Sequence, residues 1–123
     1  AHLRLGELLL EAGKTGEAEP AFRMAARLAA APELQSVRIF AHAGLGRTLA
    51  RKGDRENAAR YLLGVCLLNR DAMLMPPLIE ETVLLMRELG QTKEVETLLN
   101  DLQELYPESE AARRLAPGMT AAP

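Results

Sequence analysis

The fold is decided by the stretch LGRTLARKGDRENAARYL (residues 45–62), because its pattern occurs twice more in the chain. The segments LGELLLEAGKTGEAEPAF (residues 5–22) and TVLLMRELGQTKEVETLL (residues 82–99) align with it without a gap. Three columns are shared: a glycine at Gly13, Gly53 and Gly90, a small residue at Ala18, Ala58 and Val95, and a large apolar residue at Phe22, Leu62 and Leu99. Repetition of this kind indicates a protein built from one supersecondary unit.

Each unit is predicted to be a helical hairpin that turns at the shared glycine. Before the first glycine, apolar or weakly polar residues recur at helical spacing at His2, Leu5, Leu9 and Ala12, and after it at Ala18, Ala21, Phe22, Ala25 and Leu28. Short connections favour antiparallel packing. Small residues at matched positions, Gly6 with Ala18 and Gly46 with Ala58, let the two helices approach closely. We expect hairpins over about residues 1–31, 33–69 and 76–106.

These columns resemble the tetratricopeptide repeat. The resembling features are Leu-Gly in the first helix, glycine at the turn, alanine and then phenylalanine or leucine in the second helix, and Pro107 closing the third unit. The resemblance covers roughly residues 1–107. It implies an all-α fold in which three antiparallel helical hairpins form a right-handed superhelical stack. It also implies a protein–protein interaction scaffold whose concave groove binds a peptide or helix.

The repeat departs from that family in its spacing. The turn glycines lie 40 and then 37 residues apart, whereas the family's period is about 34. PELQSVRI (residues 32–39) predicts an added turn or two of helix, and NRDAMLMPP (residues 69–77) predicts a loop ended by a proline pair. The third unit has Thr82-Val83 in place of Leu-Gly, so we expect its first helix to pack less closely.

A short capping helix is predicted over about residues 108–115. Ser109 is a candidate N-cap, and Ala112 and Leu115 share one side of the helix. We therefore predict a single domain over residues 1–115. The proline- and glycine-containing end predicts a flexible tail over residues 116–123.

Composition narrows the range of partners. Fifteen basic and seventeen acidic residues give a net charge of −2, so no bulk field attracts nucleic acid or an anionic membrane. The basic run RTLARK (residues 47–52) has no interleaved aromatic residue for base stacking. No apolar run reaches the roughly 20 residues that span a bilayer. A single cysteine fits a reducing compartment such as the cytoplasm without requiring it, so the compartment stays open.

No set of residues predicts catalysis, a cofactor or a metal. His2 and His42 share a repeat column, which favours buried or half-buried packing residues over ligands. Cys66 lies between apolar neighbours in a predicted second helix and is interpreted as a core residue. GLGRT (residues 44–48) lacks the ending of a phosphate-binding loop and lies inside a helical pattern. We therefore predict that the chain is not an enzyme.

The resemblance assigns the groove to first-helix columns. Those residues are Leu3, Glu7, Leu10, Phe40, Ala43, Arg47, Ala50, Arg51, Glu80, Leu84 and Arg87. Another protein is the expected partner, with Arg47, Arg51 and Arg87 available to its carboxylates. Two alternatives stay open. An exposed stack end or convex face could form a homo-oligomer, or the chain could be a regulatory segment of a larger signalling or transcription protein.

Overall fold

The computed structural model describes residues 1–116, and its regular elements are seven α-helices and one 3-10 turn. They are α1 (His2–Glu11), α2 (Thr15–Leu28), the 3-10 turn Pro32–Leu34, α3 (Gln35–Arg51), α4 (Arg55–Leu68), α5 (Met75–Glu88), α6 (Thr92–Leu105) and α7 (Glu110–Arg114). No strand occurs between residues 1 and 116. The prediction of an all-α chain is confirmed.

By its internal contacts the chain divides into two compact units, Ala1–Val65 and Cys66–Pro123. The first unit holds α1, α2, α3 and most of α4, and the second holds the end of α4 with α5, α6 and α7. The single domain over residues 1–115 stays a prediction. The predicted flexible tail, residues 116–123, lies outside the described residues except for Ala116.

Three hairpin turns are made by the column of glycines found in the sequence. The φ angle is +78° at Gly13, +91° at Gly53 and +74° at Gly90, in the left-handed region that only glycine enters without cost. At the first turn the Gly13 N–H donates to the Leu10 carbonyl at 3.0 Å, and the Lys14 N–H donates to the Leu9 carbonyl at 2.8 Å. The other two turns repeat this pair of bonds. Each glycine therefore satisfies the last carbonyls of a first helix and reverses the chain.

The Phe22 ring occupies space that two glycines leave open. A Cβ atom at Gly6 of α1 would lie 2.9 Å from Phe22 Cδ1, and one at Gly44 of α3 would lie 2.5 Å from Phe22 Cζ. The ring is 1% exposed, so it is enclosed where neither helix carries a side chain. This contact joins α2 of the first hairpin to α1 and to α3.

The second hairpin has one such contact of its own. A Cβ atom at Gly46 would lie 2.6 Å from Leu62 Cδ2. Ala18 and Ala58, which we predicted to face Gly6 and Gly46, are both fully buried. The side chains that fill the space beside Gly6 and Gly46, however, are those of Phe22 and Leu62. Each lies one helical turn after the alanine in the second helix of its hairpin.

The third hairpin lacks this glycine and packs differently. Val83 stands in the column of Gly46 and is fully buried. Leu99, which stands in the column of Phe22 and Leu62, is only half-buried, while the neighbouring Leu98 is fully buried. As we predicted from Thr82-Val83, α5 and α6 approach each other at fewer positions than α1 and α2 do.

The extra residues between the repeat units lie before α3 and before α5, as the sequence predicts. Pro32 begins the 3-10 turn that leads into α3, a helix of 17 residues, so the added helix before Phe40 is confirmed. The prolines of the second gap do not end a loop, because Pro76 and Pro77 lie in the first turn of α5. Proline fits there since N–H groups of the first turn have no helical acceptor.

The predicted capping helix is present as α7. The Ser109 hydroxyl accepts a hydrogen bond from the Ala112 N–H at 3.0 Å, and Ala112 and Leu115 are buried. Gln103 of α6 donates from Nε2 to the Ala112 carbonyl at 2.8 Å. The Gln103 bond attaches α7 to the third hairpin.

The apolar stripe predicted for α1 is largely wrong. Leu5 is 48% exposed, and His2 and Ala12 are exposed as well. The buried residues of α1 are Gly6 and Leu10, because α2 and α3 pack against that side of the helix. The prediction that His2 is at least half-buried fails for the same reason.

Candidate functional site

Five predicted groove residues meet in one pocket of the first unit. The pocket has a volume of about 260 Å³ and lies mainly between α1 and α3. Its lining is Arg4, Glu7, Leu10, Glu11, Phe22, Phe40, Gly44, Arg47 and Arg51. We call this pocket the α1/α3 groove. Of its lining residues, only Phe22 comes from a second helix.

The α1/α3 groove has an apolar floor and a charged rim. Leu10 and Phe22 form the floor and are 7% and 1% exposed. Phe40 is 43% exposed beside them, which is unusual for a large aromatic side chain. The rim carries both charge signs, including the exposed pair Arg4 Nη1 to Glu7 Oε1 at 3.7 Å. Such a surface can hold an apolar side chain and orient charged neighbours around it.

Arg51 is held by its own chain. Its Nη1 atom donates to the Leu10 carbonyl at 2.7 Å, at the end of α1 where the helix dipole is negative. The sequence predicted that Arg51 would receive a partner's carboxylate. Its structural bond instead makes it a cap for α1 that keeps the groove walls together.

Arg38, near the other end of α3, does the same for α2. Its Nη1 atom lies 2.8 Å from the Ala29 carbonyl and 3.3 Å from the Ala30 carbonyl. The carbonyls of the α2 C-cap residue, Ala29, and of the residue after it are thereby satisfied by a side chain of α3. Sequence reasoning missed this residue because the contact joins two hairpins.

The other predicted residues of the first unit contribute less surface. Ala43 is 3% exposed, so it offers a partner almost no contact area, contrary to its predicted role. Leu3 and Ala50 are half-buried and lie outside the pocket lining. Leu3 packs against the buried cluster that contains Leu10 and Phe22.

In the second unit, α5 carries the remaining predicted residues. Leu84 is 52% exposed, and Arg87 is exposed. Glu80 is bound twice by Arg114 of α7, through Nε at 2.8 Å and Nη2 at 2.7 Å. The Arg114 hydrogen bonds lower the pKa of the Glu80 carboxyl group. Its carboxylate therefore already has a partner within the second unit, and the predicted role of Glu80 in a groove shared with α1 and α3 stays a prediction.

A larger polar pocket of the first unit was not expected from the sequence. Its volume is about 630 Å³, and its lining is Glu19, Arg23, Leu49, Lys52, Asp54, Asn57, Arg60 and Tyr61. Glu19 accepts from Lys52 at 2.8 Å and from Arg23 at 3.0 Å. The hydrogen bond from Lys52 and then that from Arg23 lower the pKa of Glu19. No motif marks the Glu19–Lys52 pair, since 33 residues separate its members.

The basic run at residues 47–52 is divided between two surfaces. Arg47 and Arg51 line the α1/α3 groove, while Lys52 lines the polar pocket. The run is therefore divided between two pockets on the first unit.

The titratable groups inside the fold have structural partners. His42 Nδ1 lies 2.9 Å from the Tyr61 hydroxyl, and burial, together with the charge of Arg38, lowers the pKa of His42. Cys66 is buried, as predicted, with Sγ 3.6 Å from Thr82 Oγ1. Burial raises the pKa of the Cys66 thiol to about 11. At neutral pH this thiol keeps its proton and is a poor nucleophile.

Within residues 1–116, no three His, Cys, Asp or Glu side chains come together in a way that could hold a metal ion. None of the helices described above combines the length and the apolar character needed to cross a membrane.

Comparison of this chain with protein-family models, curated proteins and solved structures gave no match. The tetratricopeptide resemblance therefore rests on the repeat columns themselves.

Proposed function

We propose that this chain is a protein-interaction module of the tetratricopeptide type, a right-handed stack of three hairpins that binds a peptide or partner helix in the α1/α3 groove. The observation that carries this proposal is the position of Phe40. It is 43% exposed beside a buried apolar floor and within a rim of charged side chains.

Phe40 is the expected energetic centre of binding. Exposed aromatic side chains next to a pocket are common interface hot spots, because a partner removes a large apolar area from water when it covers them. The pocket, at about 260 Å³, lies below the roughly 300–1,000 Å³ of sites that enclose small molecules. It suits one or two side chains of a longer ligand better than a whole cofactor.

The charged rim would determine which peptide binds and in which register. Arg4 and Arg47 provide cations, and Glu7 and Glu11 provide carboxylates, around the same floor. Mixed signs disfavour a uniformly charged ligand and favour an apolar residue flanked by charges in a matching order.

We also propose binding rather than catalysis. The two groups best suited to nucleophilic or acid–base chemistry, Cys66 and His42, have the buried and hydrogen-bonded settings described above. Both settings favour the neutral form of the group, and neither side chain lines the α1/α3 groove.

A displayed library of random peptides, selected against the intact chain, would test the proposal. The affinity of a selected peptide is then measured by calorimetry for Phe40→Ala, Arg47→Glu and the control Arg60→Glu, whose side chain lines the polar pocket instead. We expect Phe40→Ala to weaken binding by at least about 30-fold, as loss of a hot-spot aromatic does, and Arg60→Glu to leave it unchanged.

Arg51 is not used in this test because its loss would uncap α1 and disturb the groove indirectly. Circular dichroism of each variant checks that helicity is intact. Equal affinities for Phe40→Ala and the unaltered chain, or a loss confined to Arg60→Glu, would place binding elsewhere and overturn the proposal.

A further inference from the structure

One side of α1 is apolar and uncovered. Leu5 and Leu8 are 48% and 46% exposed, and Ala1 and Ala12 are exposed on the same side. The opposite side of the helix carries the buried residues Gly6 and Leu10. We call the four exposed residues the outer α1 face.

The repeat shows that a hairpin uses this face for packing. Leu5 and Leu8 occupy the columns of Leu45 and Thr48 in α3, which are 1% and 0% exposed. Leu45 belongs to the buried cluster that also contains Phe22 of the first hairpin. In the second hairpin this side is therefore covered by helices, whereas in the first hairpin no described element covers it.

The covering element of α1 cannot pack as the first hairpin packs on α3. That contact depends on Gly44, whose missing side chain admits the Phe22 ring. The same column of α1 holds Arg4, whose side chain is 68% exposed. A preceding hairpin with an aromatic residue in the Phe22 column would meet this arginine instead of a gap.

The residues of the outer α1 face are spaced symmetrically along the helix, so two copies of the face can pair in an antiparallel arrangement. Ala1, Leu5, Leu8 and Ala12 are spaced four, three and four residues apart, so the pattern reads alike from either end. Two α1 helices lying antiparallel would place Leu5 against Leu8 of the second copy, with the alanines at both ends. Small residues at the ends and leucines at the centre allow close helix contact.

The charges beside this face are complementary in the same arrangement. Arg4 and Glu11 are seven residues apart, about two helical turns, and so border the face on one side. A two-fold axis between antiparallel helices brings Arg4 of one copy near Glu11 of the other, and does so twice. We propose that two copies of this chain associate through the outer α1 face in this way. The proposal does not require a ligand in the α1/α3 groove, although Arg4 and Glu11 also line that groove.

Sedimentation velocity over protein concentrations from about 1 μM to about 1 mM tests the proposal, because an interface of one helix per copy is small and weak. We expect the mass to rise toward that of a dimer and no further. Leu8→Glu should remain monomeric with unchanged helicity. Leu28→Glu is the matched control, since Leu28 is 61% exposed on α2, and it should still dimerise.

A charge exchange tests the geometry. Arg4→Glu and Glu11→Arg should each weaken the dimer at least tenfold, because each places like charges opposite one another twice. An equimolar mixture of the two variants should recover association, since both contacts are then attractive. A monomer at all concentrations, a dimer indifferent to Leu8→Glu, masses growing beyond a dimer, or no recovery in the mixture would each overturn the proposal.

Discussion

Replacing Gly44 by alanine should destabilise the first unit even though alanine is the better helix former. Inside a helix the exchange gains about 1 kcal/mol from backbone propensity. The new Cβ atom, however, would lie 2.5 Å from Phe22 Cζ and 2.7 Å from Phe22 Cδ1, roughly 1 Å inside van der Waals contact.

The ring has little room to move away. The position of a Cβ at Gly6 is also only 2.9 Å from Phe22 Cδ1, which shows how closely α1 approaches, and the ring is 1% exposed. Overpacking of a closed site costs about 1–3 kcal/mol, and we take the upper end here. The expected net loss is about 2 kcal/mol, from a clash of about 3 offset by a propensity gain of about 1.

Urea unfolding followed by circular dichroism measures this loss, with Gly64→Ala as the matched control. Gly64 lies inside α4, and no atom lies within 4 Å of its Cβ position, so alanine should stabilise by about 0.5–1 kcal/mol. If Gly44→Ala proves as stabilising as Gly64→Ala, the Phe22 contact has been misread. Combining it with Phe22→Leu should recover part of the loss through a coupling of about 1 kcal/mol, and strict additivity would contradict the same reasoning.

Three further outcomes follow from other parts of the fold. Gly53→Ala should cost about 1–2 kcal/mol in urea unfolding, because φ is +91° there, and an unchanged midpoint would refute the strain. The pKa of Glu19 lies below its ordinary value of 4.5 because of Lys52 and then Arg23, so the pairing stabilises the fold above that pH and is lost as the pH falls through the lowered value. Unfolding measured between about pH 5 and pH 3 should show a steeper loss for the unaltered chain than for Glu19→Gln, and parallel curves would contradict this. Burial raises the pKa of Cys66 to about 11, so iodoacetamide at about pH 8 should modify the folded chain far more slowly than the urea-unfolded chain, whereas equal rates would show that the thiol is accessible.

Local features of the fold could be predicted from the sequence because their causes are local. A glycine that ends a helix needs only a left-handed backbone and two hydrogen bonds to neighbouring carbonyls. The column of Gly13, Gly53 and Gly90 therefore predicts three turns from the sequence alone, and all three glycines have positive φ angles. The N-cap at Ser109 and the 3-10 turn that begins at Pro32, just before α3, follow from the same kind of short-range reasoning.

The packing partners were harder to predict because they depend on distant residues. Gly44 was noticed only as part of a false phosphate-loop pattern, although a glycine inside a helix already suggests a close approach. The column pattern also did not indicate that Leu98, rather than Leu99, is the fully buried residue of the third hairpin, where Val83 replaces the glycine found at Gly6 and Gly46.

The sequence predicted several residues that line the candidate site, but it did not predict the hydrogen bonds of the charged side chains. The column pattern brought Phe40, Arg47 and Leu10 to one surface. It carried no sign that Arg51 would bind the Leu10 carbonyl or that Arg114 would take Glu80. Such bonds join residues 34 or 41 positions apart, and a hydrophobic period does not encode them.

The bonds of Arg38 and Arg51 suggest how this chain could change its ligand during evolution. The two arginines attach opposite ends of α3 to the ends of α2 and α1, while Phe40 and Arg47 lie between them on the surface of the same helix. Neither attachment uses the side chain of Phe40. The contacts at Phe40 can therefore change while both ends of α3 stay attached to the first hairpin.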